Sequence, residues 1–222
     1  MTKRVLVIVE GQTEERFVKQ VLQPNFESRN VYLQPIVLAS KREISSGKFR
    51  GGVSSFAQFN RDARRIIDKP GGAIITTMLD YYRLPQDFPG MATRPAGTPQ
   101  VRVAHVESAI HDYFHRPGHF VPYLSLHEFE ALLFCSTDEL SRVLTLDAKG
   151  AQFLAGIRTS FRTPEDINEH PGNNPSKRIE AVAVGYRKVL HGPTVCARVG
   201  LKQRLECRHF DAWITQLEAL DQ

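Results

Sequence analysis

The sequence predicts an α/β protein: a doubly wound parallel sheet of about four strands flanked by helices, followed by a mainly helical C-terminal part. Two observations carry this. The uninterrupted apolar runs Val5–Val9 and Ala73–Leu79 are rich in Val and Ile and end abruptly in an acid, as strands buried on both faces of a parallel sheet do. Stretches with helical spacing alternate with such runs up to about residue 135, and capping signals dominate afterwards.

The first strand spans about residues 4–9. A helix from Thr13 to about Leu22 follows, burying Phe17, Val18, Val21 and Leu22, with Thr13 as its N-cap and Pro24 ending it. Gly11 gives the backbone room to turn between them. A second strand fits Tyr32–Leu38. The polar, basic and glycine-rich stretch 40–52 reads as a surface loop. It is either an ordinary solvated connection or a backbone-binding loop for nucleic acid, using Lys41, Arg42, Lys48 and Arg50. Phe56, Phe59, Ala63, Ile66 and Ile67 mark the next helix, and Gly71-Gly72 precedes the strand that ends at Asp80. Four prolines make 83–99 a loop. Val103, Val106, Ile110 and Phe114 mark a third helix before a strand at Phe120–Ser125. Beyond it, Ser136-Thr-Asp-Glu139 and Thr163-Pro-Glu-Asp166 have capping-box form, and a closing helix buries Phe210, Trp213, Ile214 and Leu217. Residues 1–135 therefore read as the α/β core, and 136–222 as a helical extension packed on it.

Composition narrows the class. The 222 residues are 41% hydrophobic and 24% charged, enough for a core of ordinary size. No apolar run has the length of a membrane span and no signal pattern opens the chain, so a cytoplasmic location is expected. Cys135, Cys196 and Cys207 lack metal-ligand spacing, which argues against a structural zinc and for reducing surroundings. A formal charge of +5 and a pI near 9.2 permit a polyanionic partner without requiring one.

The chemistry concentrates at strand ends. Glu10 closes the first strand, Asp80 a later one, and His127, Glu128 and Glu130 follow the strand at 120–125; parallel strands bring such residues to one sheet edge. Glu14, four residues after Glu10, faces the same volume. The loop after the first strand supplies negative charge, where a phosphate-binding loop would supply more glycine and a lysine. The implied ligand is a hard divalent cation, Mg²⁺ or Mn²⁺, held by Glu10, Glu14 and Asp80, with Asp87 and Glu130 as additional ligands. His127 or Glu128 would assist proton transfer and Lys177 would offset charge on a phosphate. The plainer readings are that Glu14 complements a helix dipole, that Glu128 and Glu130 are solvated, and that Lys177-Arg178 opens a solvated helix.

Glu10-Gly-Gln-Thr-Glu14 closing a strand, with Asp80 closing another, resembles the Toprim catalytic domain of topoisomerases, primases and overcoming-lysogenization-defect nucleases. The resemblance implies a metal-dependent site acting on phosphodiesters. Glu10 would be the ligand or acid/base of the first strand, Glu14 the helix acid, and Asp80 the first acid of an Asp-x-Asp motif. That motif reads Asp80-Tyr81-Tyr82 here, and a phenol with a pKa of about 10 does not replace a carboxylate on Mg²⁺ near neutral pH. Six segments in order, from Glu10-Gly-Gln-Thr-Glu-Glu15 through Leu126-His-Glu-Phe-Glu130 and Pro175-Ser-Lys-Arg-Ile179 to Cys207-Arg-His-Phe210 and Trp213, are similar to the bacterial family called domain of unknown function 4276. That similarity suggests an AAA- or ABC-type ATPase encoded nearby as partner, in bacterial antiviral defence.

The expected function is metal-dependent phosphodiester hydrolysis on nucleic acid, a nuclease. Two alternatives stand beside it: a non-catalytic adaptor that binds an ATPase or nucleic acid, and a phosphohydrolase or phosphotransferase acting on a small phosphate ester. Oligomeric state is left open.

Overall fold

The computed structural model describes residues 2–38, 53–82, 84–167 and 172–221. Its centre is the predicted parallel sheet: β1 (Lys3–Val9), β2 (Val31–Val37), β3 (Ile74–Asp80), β4 (Phe120–Val121) and β5 (Leu124–Ser125). The order is β2-β1-β3-β4, with β5 continuing the pairing against β3, and every pairing is parallel. The chain steps from β1 to β2 on one side and then to β3 on the other. The strand order thus reverses between β1 and β3, and their C-terminal ends flank the crevice where open α/β sheets bind ligands.

Both sheet faces are covered, which is why β1 tolerates no polar residue between Val5 and Val9. Val5, Val7 and Val9 belong to one apolar cluster, while Leu6 and Ile8 belong to the other. On the first face lie α1 (Gln12–Phe17), the helical turns that continue it to Phe26, α8 (Lys188–Val199) and α9 (Arg208–Glu218). On the second lie α3 (Phe56–Ile67) and α4 (Pro99–Phe114), which bury Phe59, Ala63 and Ile67 and Val103, Val106, Ile110 and Phe114. The C-terminal part is helical, as expected. It comprises α5 (Thr137–Val143), α6 (Ala148–Thr159), α7 (Pro175–Glu180), α8 and α9. Its Phe210, Trp213, Ile214 and Leu217 share one cluster with Val5 and Phe17.

Several local expectations are corrected. The N-cap of α1 is Gly11 rather than Thr13, which is buried inside the helix; Gly11 is extended (φ −162°), so no left-handed turn requires it. Pro24 does not end the first helix. The chain widens to a π-helical turn over Val18–Leu22 and continues as α2 (Gln23–Phe26), ending at left-handed Asn30. A wider turn just before Pro24 relieves the clash its ring would make with the carbonyl four residues earlier. The strand expected at Phe120–Ser125 is interrupted at Pro122, which has no N–H to donate. Two threonines of β3 bridge the gap. Thr76 Oγ1 donates to the Val121 carbonyl (2.6 Å), while Thr77 Oγ1 donates to the Tyr123 carbonyl (2.8 Å) and accepts from the Tyr123 N–H (2.9 Å).

Candidate functional site

Glu10 and Asp80 meet at the crevice. The Asp80 backbone N–H donates to Glu10 Oε2 (3.2 Å), so the end of β3 itself positions the acid that closes β1. Asp80 Oδ1 accepts from the Phe129 N–H (2.9 Å), which fixes the Asp80 carboxylate against the segment after β5. That segment is a 3₁₀ run, Phe129–Ser136, and it carries Glu130 into the same volume, fully buried. Glu14 arrives from the first turn of α1, also buried. A Cβ at Gly11 would meet Glu14 Oε2 at 3.5 Å, an ordinary contact.

A lysine stands at the centre. The Lys188 ammonium, at the first residue of α8, is 3.1 Å from Glu130 Oε2, 3.4 Å from Asp80 Oδ2 and 3.8 Å from Glu14 Oε1. Tyr186 adds a hydroxyl that donates to Glu130 Oε1 (3.3 Å). Nothing in the segment Arg187-Lys-Val-Leu-His191 marks Lys188 as special in sequence. It is visible only once α8 is docked against α1.

The electrostatics follow from four clustered acids, Glu14 and Glu130 buried and Glu10 and Asp80 partly so, around one ammonium. Burial, reinforced by the charges of Asp80 and Glu14, pushes the Glu10 carboxyl up to about 8, against the opposing Asp80 N–H and Lys188. Burial raises Glu130 to about 7, with Lys188 opposing and Asp80 adding. Glu14 is raised too, again chiefly by burial. Burial works against the Lys188 ammonium, but Asp80, Glu130, Glu14 and Glu10 together lift it well above the ordinary lysine value. The site therefore favours added positive charge.

The other predicted residues are placed elsewhere or in other roles. Glu128 accepts from Asn174 Nδ2 (2.6 Å) and from the Ser176 N–H (3.2 Å), so it anchors the start of α7 rather than facing solvent. Asp87 accepts from the Phe56 N–H (2.9 Å) at the start of α3 and is not brought to the cluster. Lys177 pairs with Glu180 (2.6 Å) on an exposed helix face. His127 is buried with a left-handed backbone (φ 70°) and precedes the 3₁₀ run, so it shares no helical face with Glu130; its carbonyl accepts from the Tyr82 N–H (2.8 Å). Lys41, Arg42, Lys48 and Arg50 lie outside the described residues. A groove of about 700 Å³ lined by Leu201, Lys202, Arg204, Leu205, Arg208 and Asp211 lies beyond the far end of α8 and contains none of the cluster acids.

The donor set fits a hard cation, since every group is a carboxylate oxygen. As the side chains stand, no group of three or more His, Cys, Asp or Glu among the described residues is arranged to hold a metal, and Lys188 lies between the acids instead.

Fold and site together define a doubly covered parallel α/β protein with a lysine-centred acidic cluster at its strand-order switch point. The family model described as "Domain of unknown function (DUF4276)" matches residues 9–218, and the chain belongs to that family. No curated protein and no solved structure matches the chain. No helix among the described residues is long and apolar enough to cross a membrane.

Proposed function

We propose that the chain is a divalent-cation-dependent phosphodiesterase acting on nucleic acid, with its site at Glu10, Glu14, Asp80 and Glu130. One observation carries this reading: four carboxylates from the ends of β1 and β3, from α1 and from the 3₁₀ run converge at the switch-point crevice, with one ammonium between them. Burying that many acids costs stability unless cations compensate, and functional sites are where such arrangements persist. The resemblance of Glu10, Glu14 and Asp80 to the Toprim acids supports the same chemistry.

Glu14, Asp80 and Glu130 would hold Mg²⁺ or Mn²⁺, which when bound supplies electrostatic stabilisation of a phosphoryl group. Glu10 has a different task. Its carboxyl holds its proton to about pH 8 in the cation-free cluster; the charge of a bound cation would lower that value, so that Glu10 could take the proton from the attacking water and return one to the leaving oxygen. The Asp80 N–H holds Glu10 in register with the other acids. Glu128 acts at a remove by fixing α7 through Asn174 and Ser176.

A panel of oligonucleotides, plasmid and nucleotides, with Mg²⁺ or Mn²⁺ and with or without an ATPase encoded nearby, tests this. Cleavage should require the cation and vanish in Glu10→Ala and Asp80→Ala while circular dichroism stays unchanged. Variants that cut as well as the parent would remove the site assignment. Turnover confined to nucleotides would redirect it to small phosphate esters.

The Lys188 ion pairs favour a second reading, in which an acid cluster already partly neutralised by its own lysine serves a non-catalytic adaptor. Under that reading Mn²⁺ at sub-millimolar concentration does not bind.

A further inference from the structure

We propose that Lys188 is a tethered counter-cation occupying the place a divalent ion takes, so that lysine and metal compete for one set of carboxylates; this rests on the cation-dependent reading above. Three observations converge. First, one ammonium is shared by acids from three separate parts of the chain, with Glu130, Asp80 and Glu14 all within 3.8 Å. A hard divalent ion draws carboxylate oxygens to about 2.0–2.6 Å, closer than they stand around this ammonium, and two cations in the same small space repel.

Second, exposure is divided unequally. The side chains of Glu14, Asp80 and Glu130 are 5%, 13% and 0% exposed, whereas that of Lys188 is 38% exposed. The lysine is the one member of the set whose side chain is substantially exposed, although its ammonium is enclosed by the acids. Its four-carbon stem lets the charge leave by rotation about side-chain bonds, which no backbone-anchored donor could do.

Third, the backbone that carries Lys188 is firmly seated, so departure need not disturb the fold. Arg16 donates to the Val189 carbonyl (3.3 Å), and Gly192 brings α8 close against Phe129. With the lysine in place the acids are partly neutralised and the cluster tolerates burial without metal. With the lysine outside, the same acids are available as ligands. Lys188 thereby sets the cation concentration at which the site loads.

Mn²⁺ titration calorimetry on the full chain, comparing parent, Lys188→Met, Lys188→Arg and Asp80→Ala, tests the competition. Lys188→Met should bind Mn²⁺ at least about ten-fold more tightly than the parent, and Lys188→Arg should not. Equal or weaker binding by Lys188→Met, with parent binding that Asp80→Ala removes, overturns the competition and leaves the proposed function standing. Binding by Lys188→Met alone supports the competition and removes the proposed activity of the parent. Silence in every variant overturns both. Should Lys188→Met fail to fold, amine acylation of the parent followed by peptide mass spectrometry decides. Saturating Mg²⁺ should raise labelling of Lys188 several-fold, and unchanged or lower labelling overturns the proposal.

Discussion

Glu10 and Glu130 keep their protons to about pH 8 and about pH 7 in the folded chain, against 4.5 for an ordinary glutamate. Between those limits the folded state holds more protons than the unfolded one, so stability falls as pH rises across the window. In chelator, the melting temperature should decline from about pH 4.5 to about pH 8, and Glu10→Gln should flatten the decline and stabilise the chain by about 1 kcal/mol or more at its upper end. An unchanged slope in that variant would mean Glu10 is not the acid whose burial matters. Saturating Mg²⁺ should flatten the decline in the parent as well, with release of protons on binding. At this scale Glu10 and Asp80 were legible in sequence, because a strand end states its own position in a parallel sheet. Lys188 was not. Its partners Glu130 and Asp80 lie 58 and 108 residues away, and a lysine at the start of an ordinary helix carries no local mark. Lys177, chosen instead, had a cap-like neighbour in Ser176, but that N–H is taken by Glu128.

Among elements, α8 depends on a close approach that one glycine permits. A Cβ at Gly192 would stand 2.9 Å from the Phe129 ring and 3.5 Å from Thr13. Gly192→Ala should therefore destabilise by about 1–2 kcal/mol in urea unfolding, even though alanine favours helix by about 1 kcal/mol. A neutral or stabilising result would show that α8 has room to shift. The start of α9 depends on a remote carboxylate: Glu165 accepts from the N–H groups of His209 (3.0 Å) and Phe210 (2.9 Å). Glu165→Ala should cost about 2–3 kcal/mol by leaving helix-start donors without their acceptor. Long periodic helices and apolar strands were readable, since their patterns repeat over many residues. The π-helical turn before Pro24 and the break at Pro122 were not. Each depends on a neighbour that compensates for the proline, and for Pro122 the compensation comes from Thr76 and Thr77, some 45 residues away.

Across the molecule, one apolar cluster joins the first strand to the last helix. Trp213 stacks on Tyr123 (4.2 Å between ring centroids) and donates its indole N–H to Thr76 on β3 (2.8 Å). Trp213→Ala should cost about 3–5 kcal/mol. A fragment ending at residue 135 would leave the Val5, Val7 and Val9 face of the sheet without α8 and α9, and should show no cooperative thermal transition by circular dichroism. A sharp melt of that fragment would show that the α/β part stands alone. The helical character of the second half was legible from its caps. Its share in the sheet's own core was not, because periodicity shows that a helix has an apolar face without showing what that face covers.

The residue nearest all three neighbouring acids enters the cluster from α8, late in the chain. A growing polypeptide carries Glu10, Glu14 and Asp80 long before Lys188 has been made. Until α8 docks, those acids can take a cation or a proton, but not the lysine. Docking of α8 is thus the step at which the cluster first gains a counter-charge of its own.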